Sequence, residues 1–388
     1  MARSGQGSAT RPLRVALDAT PLLIERAGVG EFCLHALAAL APRPDLEVGA
    51  FAISWRRRRG IGPHLPKGVR AFDRPMPARP LHMAWSRWSF PPAELFLGPV
   101  DLVHGTNFVV PPTRRAAMVV TVHDLTPVHF PELVEPATRA FPGLIREALK
   151  RGAWVHTPSE FVAREVIEYF HAPSERVRPI YHGIVPPAPD QLASAFPRGL
   201  LPSWAERYLL AVGTVEPRKD LPTLVRAFSL VGEDRPELAL VIAGSERWGR
   251  EGLDETVAAS PIGERVLRLG RVDDPTRDAL LANAAVLAYP SRYEGFGFPP
   301  LEAMARGTPV VTTRCGALEE VLGDAARFVD VGDASALARA LGDLLDDEHE
   351  RERLSDLGRQ RAAFYTWEAC ASGLSALYHD AAPGRRHG

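Results

Sequence analysis

Short apolar runs alternate with amphipathic stretches along almost the whole chain, and this pattern limits the possible folds more than any other feature. Apolar runs separated by helical stretches predict parallel strands joined by crossover helices. The alternation occurs twice, so we expect an α/β protein with two domains, each built on a parallel sheet. The predicted strands are residues 13–18, 47–53, 101–104, 117–122, 153–157, 177–181, 208–212, 238–243, 266–269, 285–289, 309–312 and 327–329.

The length of 388 residues also favours two domains, and a hydrophobic content of 46% can fill two cores. We expect the first domain at residues 11–190 and the second at 200–365. Residues 185–202 are rich in Pro, Ala and polar side chains, which is typical of a linker. The ligands of such a protein are expected in the cleft between the two domains.

The most informative local pattern is S-R-Y-E-G-F-G-F-P-P-L-E-A-M-A-R-G at 291–307, directly after a predicted strand. Its glycines predict a turn, and its two prolines predict the first turn of a helix that stops before Gly307. The backbone N–H groups of Phe296, Gly297 and Phe298 are then expected to point, with the helix dipole, at one spot. This arrangement binds phosphate groups in many proteins.

Two carboxylates flank this turn eight positions apart, Glu294 before the glycines and Glu302 after them. We expect Glu302 in the first helical turn, where it can accept hydrogen bonds from ribose hydroxyls. We expect Glu294, before the glycines, closer to the group that is attached to the phosphate. The alternative interpretation is an ordinary helix entry with one capping Glu.

A basic pair, Arg218 and Lys219, follows the predicted strand 208–212. Open α/β sheets bind their ligands at the carboxyl ends of the strands, so this position favours a contact with the phosphates. The dipole of a helix contributes only about 0.3 to 1 kcal/mol per charge, and a diphosphate therefore needs added cations. The alternative is a pair of solvated basic side chains in a loop.

His123 and Asp124 also stand directly after a predicted strand, 117–122. The carboxyl end of a parallel strand is again the expected ligand edge of the sheet, which favours a functional role for this pair. Asp is also a preferred residue at the start of a helix, so a plain helix cap is the alternative for Asp124.

These segments resemble the retaining glycosyltransferases of the GT-B fold, family 4 type. The resemblance rests on E-x7-E at 294–302, G-T-V-E-P-R-K-D at 213–220 and V-H-D at 122–124, and it covers residues 13–380. It implies two Rossmann-like domains facing a central cleft, with acceptor binding in the first and donor binding in the second. It also implies that Lys219 contacts the diphosphate of a nucleotide-sugar donor, together with Arg218.

The same resemblance assigns further residues. His123 is expected beside the donor sugar, with Asp124 orienting its ring or binding the acceptor. Arg271 falls in the region that seats the nucleotide base, and Gly213 begins the phosphate-contacting loop. The last helix, at 366–382, is expected to return and pack on the first domain.

The glycines of R-A-G-V-G-E-F-C at 26–33 approach a dinucleotide fingerprint but lack its third glycine, and they lie about nine residues beyond the nearest predicted strand. A nicotinamide enzyme is therefore not predicted. Within the glycosyltransferase interpretation, Gly28 and Gly30 precede a helix at 31–40 and face the donor phosphate or the acceptor. A plain helix start is the alternative.

The resemblance predicts a hexosyltransferase that retains the anomeric configuration, with mannose from GDP-mannose as the first donor and other nucleotide-sugars open. No D-x-D pattern follows a strand in the second half, so no metal or other cofactor is expected. The acceptor is a saccharide or a lipid-linked saccharide that the sequence does not identify. Two alternatives remain, a sugar-nucleotide epimerase of the same fold and an inactive sugar-nucleotide-binding scaffold.

Composition places further limits on the function. No run of eighteen apolar residues exists and residues 1–10 lack an apolar signal core, so a cytoplasmic protein is expected. The three cysteines are widely spaced and predict neither zinc nor disulfides. Residues 1–190 carry a net charge of +6 and the remainder −7; contact of the first domain with the inner face of an anionic membrane is one interpretation, a solvated charge run the other. No nucleic-acid-binding module accompanies the basic residues.

Overall fold

Two sheets, of seven and six strands, organise the chain. In this computed structural model, the described residues are 11–23, 28–136, 138–187, 199–246 and 250–382. Every pairing between neighbouring strands is parallel in both sheets. The prediction of two parallel-sheet α/β domains is confirmed. Most of the predicted linker, residues 188–198, lies outside the described residues.

The first sheet has the strand order β3-β2-β1-β4-β5-β6-β7. Its strands are β1 (Leu13–Asp18), β2 (Leu46–Phe51), β3 (Arg70–Phe72), β4 (Leu102–Gly105), β5 (Ala117–Thr121), β6 (Trp154–Thr157) and β7 (Val177–Pro179). The edge strand β3 was not predicted, because it has only three residues and two of them are exposed. Its sequence, Arg-Ala-Phe, contains no apolar run for a sequence pattern to detect.

The second sheet has the order β10-β9-β8-β11-β12-β13. Its strands are β8 (Arg207–Val212), β9 (Leu238–Ala243), β10 (Val266–Gly270), β11 (Val286–Tyr289), β12 (Val310–Thr313) and β13 (Arg327–Val329). All six residues of β9 are buried, as expected for a parallel strand that is covered by helices on both faces. The continuous apolar runs therefore predicted these strands to within one residue at each end.

Fourteen helices of the described residues flank the sheets: α1 (Gly28–Leu40), α2 (Ala78–Arg87), α3 (Glu94–Leu97), α4 (Thr126–His129), α5 (Phe141–Lys150), α6 (Glu160–Phe170), α7 (Leu221–Val231), α8 (Glu251–Ala259), α9 (Asp274–Asn283), α10 (Phe298–Ala305), α11 (Leu318–Leu322), α12 (Ala334–Asp346), α13 (Glu348–Ala362) and α14 (Trp367–Ala381). Among the helices of the described ranges, none has the length and apolarity needed to cross a bilayer.

The start of α1 corrects one prediction. The helix begins at Gly28 and not at Glu31, so Gly28 and Gly30 form its first turn and do not belong to a loop before it. Gly30 is buried, because the first turn packs against the rest of the fold. Residues 26 and 27 of the predicted loop lie outside the described residues.

Helix α14 packs on the first domain, as the resemblance implied. Its residues Cys370, Leu374 and Tyr378 belong to the same hydrophobic cluster as Leu17 and Phe32. The helix therefore completes the core of a domain whose first strand, β1, lies more than three hundred residues before it in the chain.

A chain of buried hydrogen bonds ties α14 to three strands of the first sheet. Tyr378 Oη lies 2.7 Å from His104 Nδ1, and His104 Nε2 lies 2.7 Å from Thr121 Oγ1. Thr121 Oγ1 lies 2.9 Å from His156 Nδ1, and His156 Nε2 lies 3.0 Å from the carbonyl oxygen of Ile180. A carbonyl can only accept, so neutral His156 donates from Nε2 and accepts at Nδ1. Thr121 Oγ1 therefore donates to His156 Nδ1, and His104 Nε2 donates to Thr121 Oγ1. The hydroxyl of Tyr378 in turn donates to His104 Nδ1.

The buried neutral histidines should make the stability of the protein depend on pH. Burial lowers the pKa of His156 to about 3 and holds the pKa of His104 and His182 well below the ordinary 6.5. Below pH 6.5 the unfolded chain therefore binds more protons than the folded protein, so stability falls with falling pH. Burial raises the pKa of Asp18 to about 6, which offsets part of this loss. We expect the free energy of unfolding in urea to fall by about 4 kcal/mol between about pH 7 and pH 5.

Two histidine variants complete this measurement. His156→Gln should reduce the pH dependence by about one proton, whatever it does to stability at neutral pH. His64→Gln, at an exposed position, should leave the pH dependence unchanged. A free energy of unfolding that stays level over this range would contradict the neutral hydrogen-bond chain.

Candidate active site

The carboxyl ends of the two sheets face each other. The loops that follow β5 and β6 contact the loop that follows β11 through two hydrogen bonds. The backbone N–H of Leu125 donates to Tyr293 Oη over 3.1 Å, and Ser159 Oγ donates to the carbonyl oxygen of Gly295 over 2.8 Å. The residues that the sequence placed at strand ends therefore meet between the two domains, at the edge where open α/β sheets bind ligands.

The centre of the site is a buried group of three charges. Glu294 Oε1 lies 2.6 Å from Lys219 Nζ, and Glu294 Oε2 lies 2.8 Å from Arg218 Nη1. Burial would raise the pKa of Glu294, but the charges of Arg218 and Lys219 outweigh it and lower this pKa to about 2. Glu294 is therefore a carboxylate at neutral pH, and both of its oxygens already have a cationic partner.

Arg218 holds the loop after β8 against the loop after β11. Besides Glu294, its guanidinium donates to Glu216 Oε1 and to the carbonyl oxygen of Tyr293, each over 2.7 Å. The backbone N–H of Arg292 donates to the carbonyl oxygen of Arg218 over 2.8 Å. Arg218 thus has three oxygen partners within the protein, whereas Lys219 Nζ is shared between Glu294 and the hydroxyl of Tyr289.

Gly295 lets the two domains approach at this point. A Cβ atom at this position would lie 1.9 Å from the carbonyl oxygen of His123, closer than any side chain can come. The glycine is required because the backbone of the second domain packs directly on the His123 loop of the first. The contact places the backbone of His123 against Gly295, the residue that directly follows Glu294 in the chain.

His123 is neutral and fixed in one orientation. Its Nε2 lies 2.8 Å from the carbonyl oxygen of Thr106, so this nitrogen carries the hydrogen. Burial lowers its pKa, which leaves Nδ1 as an acceptor. The ring packs edge-on against Phe32 and Phe108, at centroid distances of 5.3 and 5.9 Å.

Asp124 does not hold the ring of His123. Its Oδ1 accepts a hydrogen bond from the backbone N–H of Thr126 over 2.9 Å, at the start of α4. Asp124 thus binds the backbone two residues ahead of it, without being the cap residue of α4, and the carbonyl of Thr106 takes over the predicted orienting role. A contact of Asp124 with an acceptor stays a prediction.

The amino ends of two helices converge beside this group. Gly297, with φ +105°, directly precedes α10, and such a backbone favours glycine. A Cβ atom on Gly28, the first residue of α1, would lie 3.5 Å from the ring of Phe298, the first residue of α10. Two sets of unpaired N–H groups and two helix dipoles thus favour negative charge in one small region.

Glu302 lies one turn further along α10 than predicted. It is the fifth residue of the helix and therefore belongs to the second turn, which corrects the expectation of the first. Burial raises its pKa, in spite of the nearby charge of Arg277, whose Nη2 lies 3.9 Å from Glu302 Oε1. Arg277, on α9, was not among the predicted site residues.

Three predicted donor-site residues lie at different distances from the buried group of Glu294, Arg218 and Lys219. Gly213 follows β8, and its N–H donates to the carbonyl oxygen of Ala243 over 3.0 Å. Phe296 is buried, with its ring centroid 5.1 Å from that of His182. Arg271 is exposed after the edge strand β10, three strands away from the loop that carries Glu294.

Sequence reasoning missed the residues that connect the two domains. Tyr293 is buried in the core of the first domain and donates to Glu165 Oε2, while Glu165 Oε1 lies 2.9 Å from His129 Nε2. Tyr293 stands inside the predicted motif, next to Glu294, but Glu165 is 128 positions away in the chain. Nothing in a single sequence pairs residues at such a separation.

Comparison with known proteins gives the family. The model for glycosyl transferases group 1 matches residues 200–361, and the model for Glycosyltransferase Family 4 matches residues 27–186. The O-antigen chain mannosyltransferase B of Escherichia coli is 31% identical over 277 residues, which are 70% of this chain and 72% of that protein. The chain belongs to glycosyltransferase family 4. The predicted family is confirmed.

Further similarities agree with this family 4 assignment. The MMP alpha-(1->4)-mannosyltransferase of Mycolicibacterium hassiacum is 37% identical over 179 residues, 45% of this chain and 43% of that protein. Among solved structures, sucrose-phosphate synthase from Thermosynechococcus elongatus has a TM-score of 0.75 at 22% identity, covering 95% of this chain and 98% of that one. WaaG, a glycosyltransferase involved in lipopolysaccharide biosynthesis, has a TM-score of 0.67 at 18% identity, covering 97% and 100%. These structures confirm the GT-B fold.

The hydroxyl of Tyr293 should act as a positioning group for the His123 loop. In Tyr293→Phe the ring still fills its place in the core, but the N–H of Leu125 loses its acceptor and the loop is held less firmly. We expect kcat to fall about tenfold, the equivalent of about 1.4 kcal/mol, with little change in KM for the donor. Steady-state kinetics with varied donor concentration give both values.

Tyr169→Phe is the matched control, since it removes the hydroxyl of an exposed tyrosine on α6. It should leave both constants unchanged. A Tyr293→Phe variant with normal kcat and a raised donor KM would instead place the hydroxyl in donor binding.

Proposed function

We propose that this family 4 member transfers a hexose from a nucleotide-sugar to a hydroxyl of a saccharide or lipid-linked acceptor, with retention of anomeric configuration. The observation that carries the proposal is the buried group of Glu294, Lys219 and Arg218, packed against the His123 loop beside two converging helix ends. This arrangement offers positive charge for a diphosphate and a carboxylate and a neutral imidazole for sugar hydroxyls.

GDP-mannose is the proposed donor. The relatives that support mannose are the E. coli O-antigen chain mannosyltransferase B and the M. hassiacum mannosyltransferase named above. A UDP-sugar is the second candidate, because the Anabaena protein HepE, solved with UDP-glucose, has a TM-score of 0.72 and covers 95% of this chain and 100% of that one at 19% identity. The base would lie near Arg271 and the ribose near Glu302.

The chemistry follows from where charge develops. When the bond between the anomeric carbon and the diphosphate breaks, negative charge grows on the leaving oxygen, and Lys219 and the helix ends stabilise it there. The acceptor oxygen forms its bond to the anomeric carbon on the same face, and its proton passes to a phosphate oxygen. Glu294 accepts hydrogen bonds from sugar hydroxyls; its pairing with two cations makes it a poor nucleophile.

We propose that no metal ion takes part, because Lys219 and Arg218 bring the charge that a divalent cation supplies in other transferases. The enzyme would work in the cytoplasm, and an acceptor that is lipid-linked would require the first domain to reach a membrane surface. Transfer that is unchanged by EDTA would support the first statement, and transfer that needs added magnesium would contradict it.

The decisive experiment is a melting-temperature panel with GDP, UDP, ADP and dTDP, each with and without magnesium, followed by donor turnover. A diphosphate at about 100 times its Kd stabilises the folded protein by about 2.7 kcal/mol. Stabilisation by one of them, with release of that diphosphate from its sugar ester only when an acceptor is added, supports the transferase. Conversion of the donor without an acceptor would instead indicate an epimerase, and stabilisation with no turnover of any donor would indicate the inactive binding scaffold. No stabilisation by any of the four diphosphates would contradict the proposed donor site.

Lys219→Ala and Glu294→Gln should each reduce kcat by about 10² to 10³, because each removes a charge that faces the reacting groups. Both variants should stay folded, since Arg218 keeps its partners Glu216 and Tyr293 in either case. The measurement is initial rate at saturating donor, with the circular dichroism spectrum as the check on folding.

Arg314→Ala is the control for loss of a positive charge in the second domain. Arg314 is half exposed and pairs with Glu319. Its variant should keep the wild-type rate. Near-normal turnover in Lys219→Ala or in Glu294→Gln would remove that residue from the proposed site.

A further inference from the structure

The positive charge of the first half of the chain is concentrated in one stretch. Residues 51–100 contain nine Lys and Arg against two Asp and Glu, a net charge of +7, whereas the whole of residues 1–190 carries +6. The other 140 residues of that half are therefore close to neutral. A local excess of this size creates a positive surface field that attracts anionic partners.

The same stretch exposes large apolar side chains. Trp88 is 64% exposed and Phe90 is 65% exposed, and Trp55, Met83 and Leu95 are also more than half exposed. Single exposed apolar residues are common on protein surfaces, but several in one stretch mark an interaction site. Trp85 of the same stretch is buried, in contrast to Trp88 and Phe90.

Helix α2 shows how the two features combine. Leu81 and Trp85, four residues apart, point into the core of the first domain. Arg79, Met83 and Arg87, also spaced four apart, form an exposed stripe. The helix is thus amphipathic, and its outer side is itself a mixture of basic and apolar groups.

Three hydrogen bonds join the segments into one surface. The N–H of Met76 donates to the carbonyl oxygen of Ser54 over 3.2 Å, next to Trp55. Arg74 Nη1 donates to the carbonyl oxygen of Leu95 over 2.6 Å. Trp85 Nε1 donates to the carbonyl oxygen of Pro91 over 3.0 Å. We call residues 54–57 and 59 together with 74–95 the basic apolar face.

Of the two acidic residues of the stretch, one is turned away from this surface and the other offsets a single Arg. Glu94 turns inward and accepts hydrogen bonds from the backbone N–H groups of Arg114, Arg115 and Ala116, over 2.9 to 3.2 Å. Asp73 lies 3.9 Å from Arg59. The chemical complement of the face is therefore a surface that is anionic in its outer layer and apolar beneath.

We propose that the basic apolar face docks the first domain on an anionic lipid bilayer. Arg side chains near such a surface attract it with about 1 kcal/mol each, and Trp and Phe rings prefer the level of the headgroups. The outer side of α2 presents Arg and Met side chains, and the residues that follow the helix present Trp88 and Phe90, so the face lies in this interface without crossing the membrane.

The position of the face links docking to the active site. Trp55 follows the carboxyl end of β2 and Met76 follows that of β3, the same edge of the sheet at which His123 follows β5. A bilayer on this face would lie beside the cleft. Docking itself does not depend on the proposed reaction, but delivery of a lipid-linked acceptor from that bilayer rests on the proposed function.

Vesicle sedimentation tests the docking without donor or acceptor. We expect the full chain to bind phosphatidylcholine vesicles that contain about 30% phosphatidylglycerol, and to bind pure phosphatidylcholine vesicles at least about tenfold more weakly. Binding should weaken as salt rises from about 0.1 M to 1 M, because the screening length falls from about 10 Å to 3 Å. Equal binding to both vesicle types, or to neither, would overturn the proposal.

Variants locate the contact. Arg79→Glu with Arg87→Glu, and separately Trp88→Ser with Phe90→Ser, should each weaken binding to the anionic vesicles about tenfold or more. Arg339→Glu with Arg353→Glu, and Trp204→Ser, change exposed residues of the second half and should bind like the wild type. All variants should melt at the wild-type temperature, which shows that they are folded.

Two outcomes would assign the face to something other than lipid. If the control variants weaken binding as much as the α2 variants do, attraction is spread over the molecule and the face is not the docking site. If the wild type dimerises in sedimentation velocity and Trp88→Ser with Phe90→Ser does not, a second copy of the chain covers the face. A failed nucleotide panel with intact vesicle binding would separate the proposed reaction from the docking.

Discussion

The ion pairs of Glu294 with Arg218 and Lys219 are the interaction on which the site depends. A buried carboxylate alone would be protonated or excluded, and a buried Lys would lose its proton. Together they remain charged, because each compensates the desolvation of the others. The loops after β8 and β11 must therefore close on each other whenever the second domain folds, which brings the residues at these strand ends together before any ligand arrives.

The contact between domains extends this constraint to the first half of the chain. Gly295 packs on the carbonyl of His123, and Tyr293 enters the first core and holds the N–H of Leu125. The carboxylate of Glu320, on α11, caps the amino end of α6. It accepts hydrogen bonds from the backbone N–H groups of Glu160 and Phe161 over 2.7 and 2.8 Å. Polar groups with defined partners thus set how the domains meet, and these contacts are directional where apolar packing is not.

Stacked rings mark the place where the chain passes from one domain to the other. His182 is parallel to Phe298, with an interplanar angle of 8° and a centroid distance of 5.4 Å, and Phe32 and Trp367 lie against the same ring. The four residues come from α1, the connection after β7, α10 and α14. The first residue of α14 therefore contacts the first residue of α10, which directly follows the glycine turn of the active site.

The sequence by itself determined the two parallel sheets and the strand ends that carry the site, because apolar periodicity and glycine or proline turns are local properties. The return of the last helix to the first domain was implied by the family resemblance and not by local pattern. Tertiary structure alone decided the rest: that α1 begins at Gly28, that Glu294 pairs with both cations, that the carbonyl of Thr106 and not Asp124 orients His123, and that Tyr293 joins the domains. These features depend on contacts between residues that lie far apart in the sequence, in some cases more than a hundred positions. Burial and charge compensation select such pairs only after the chain has folded.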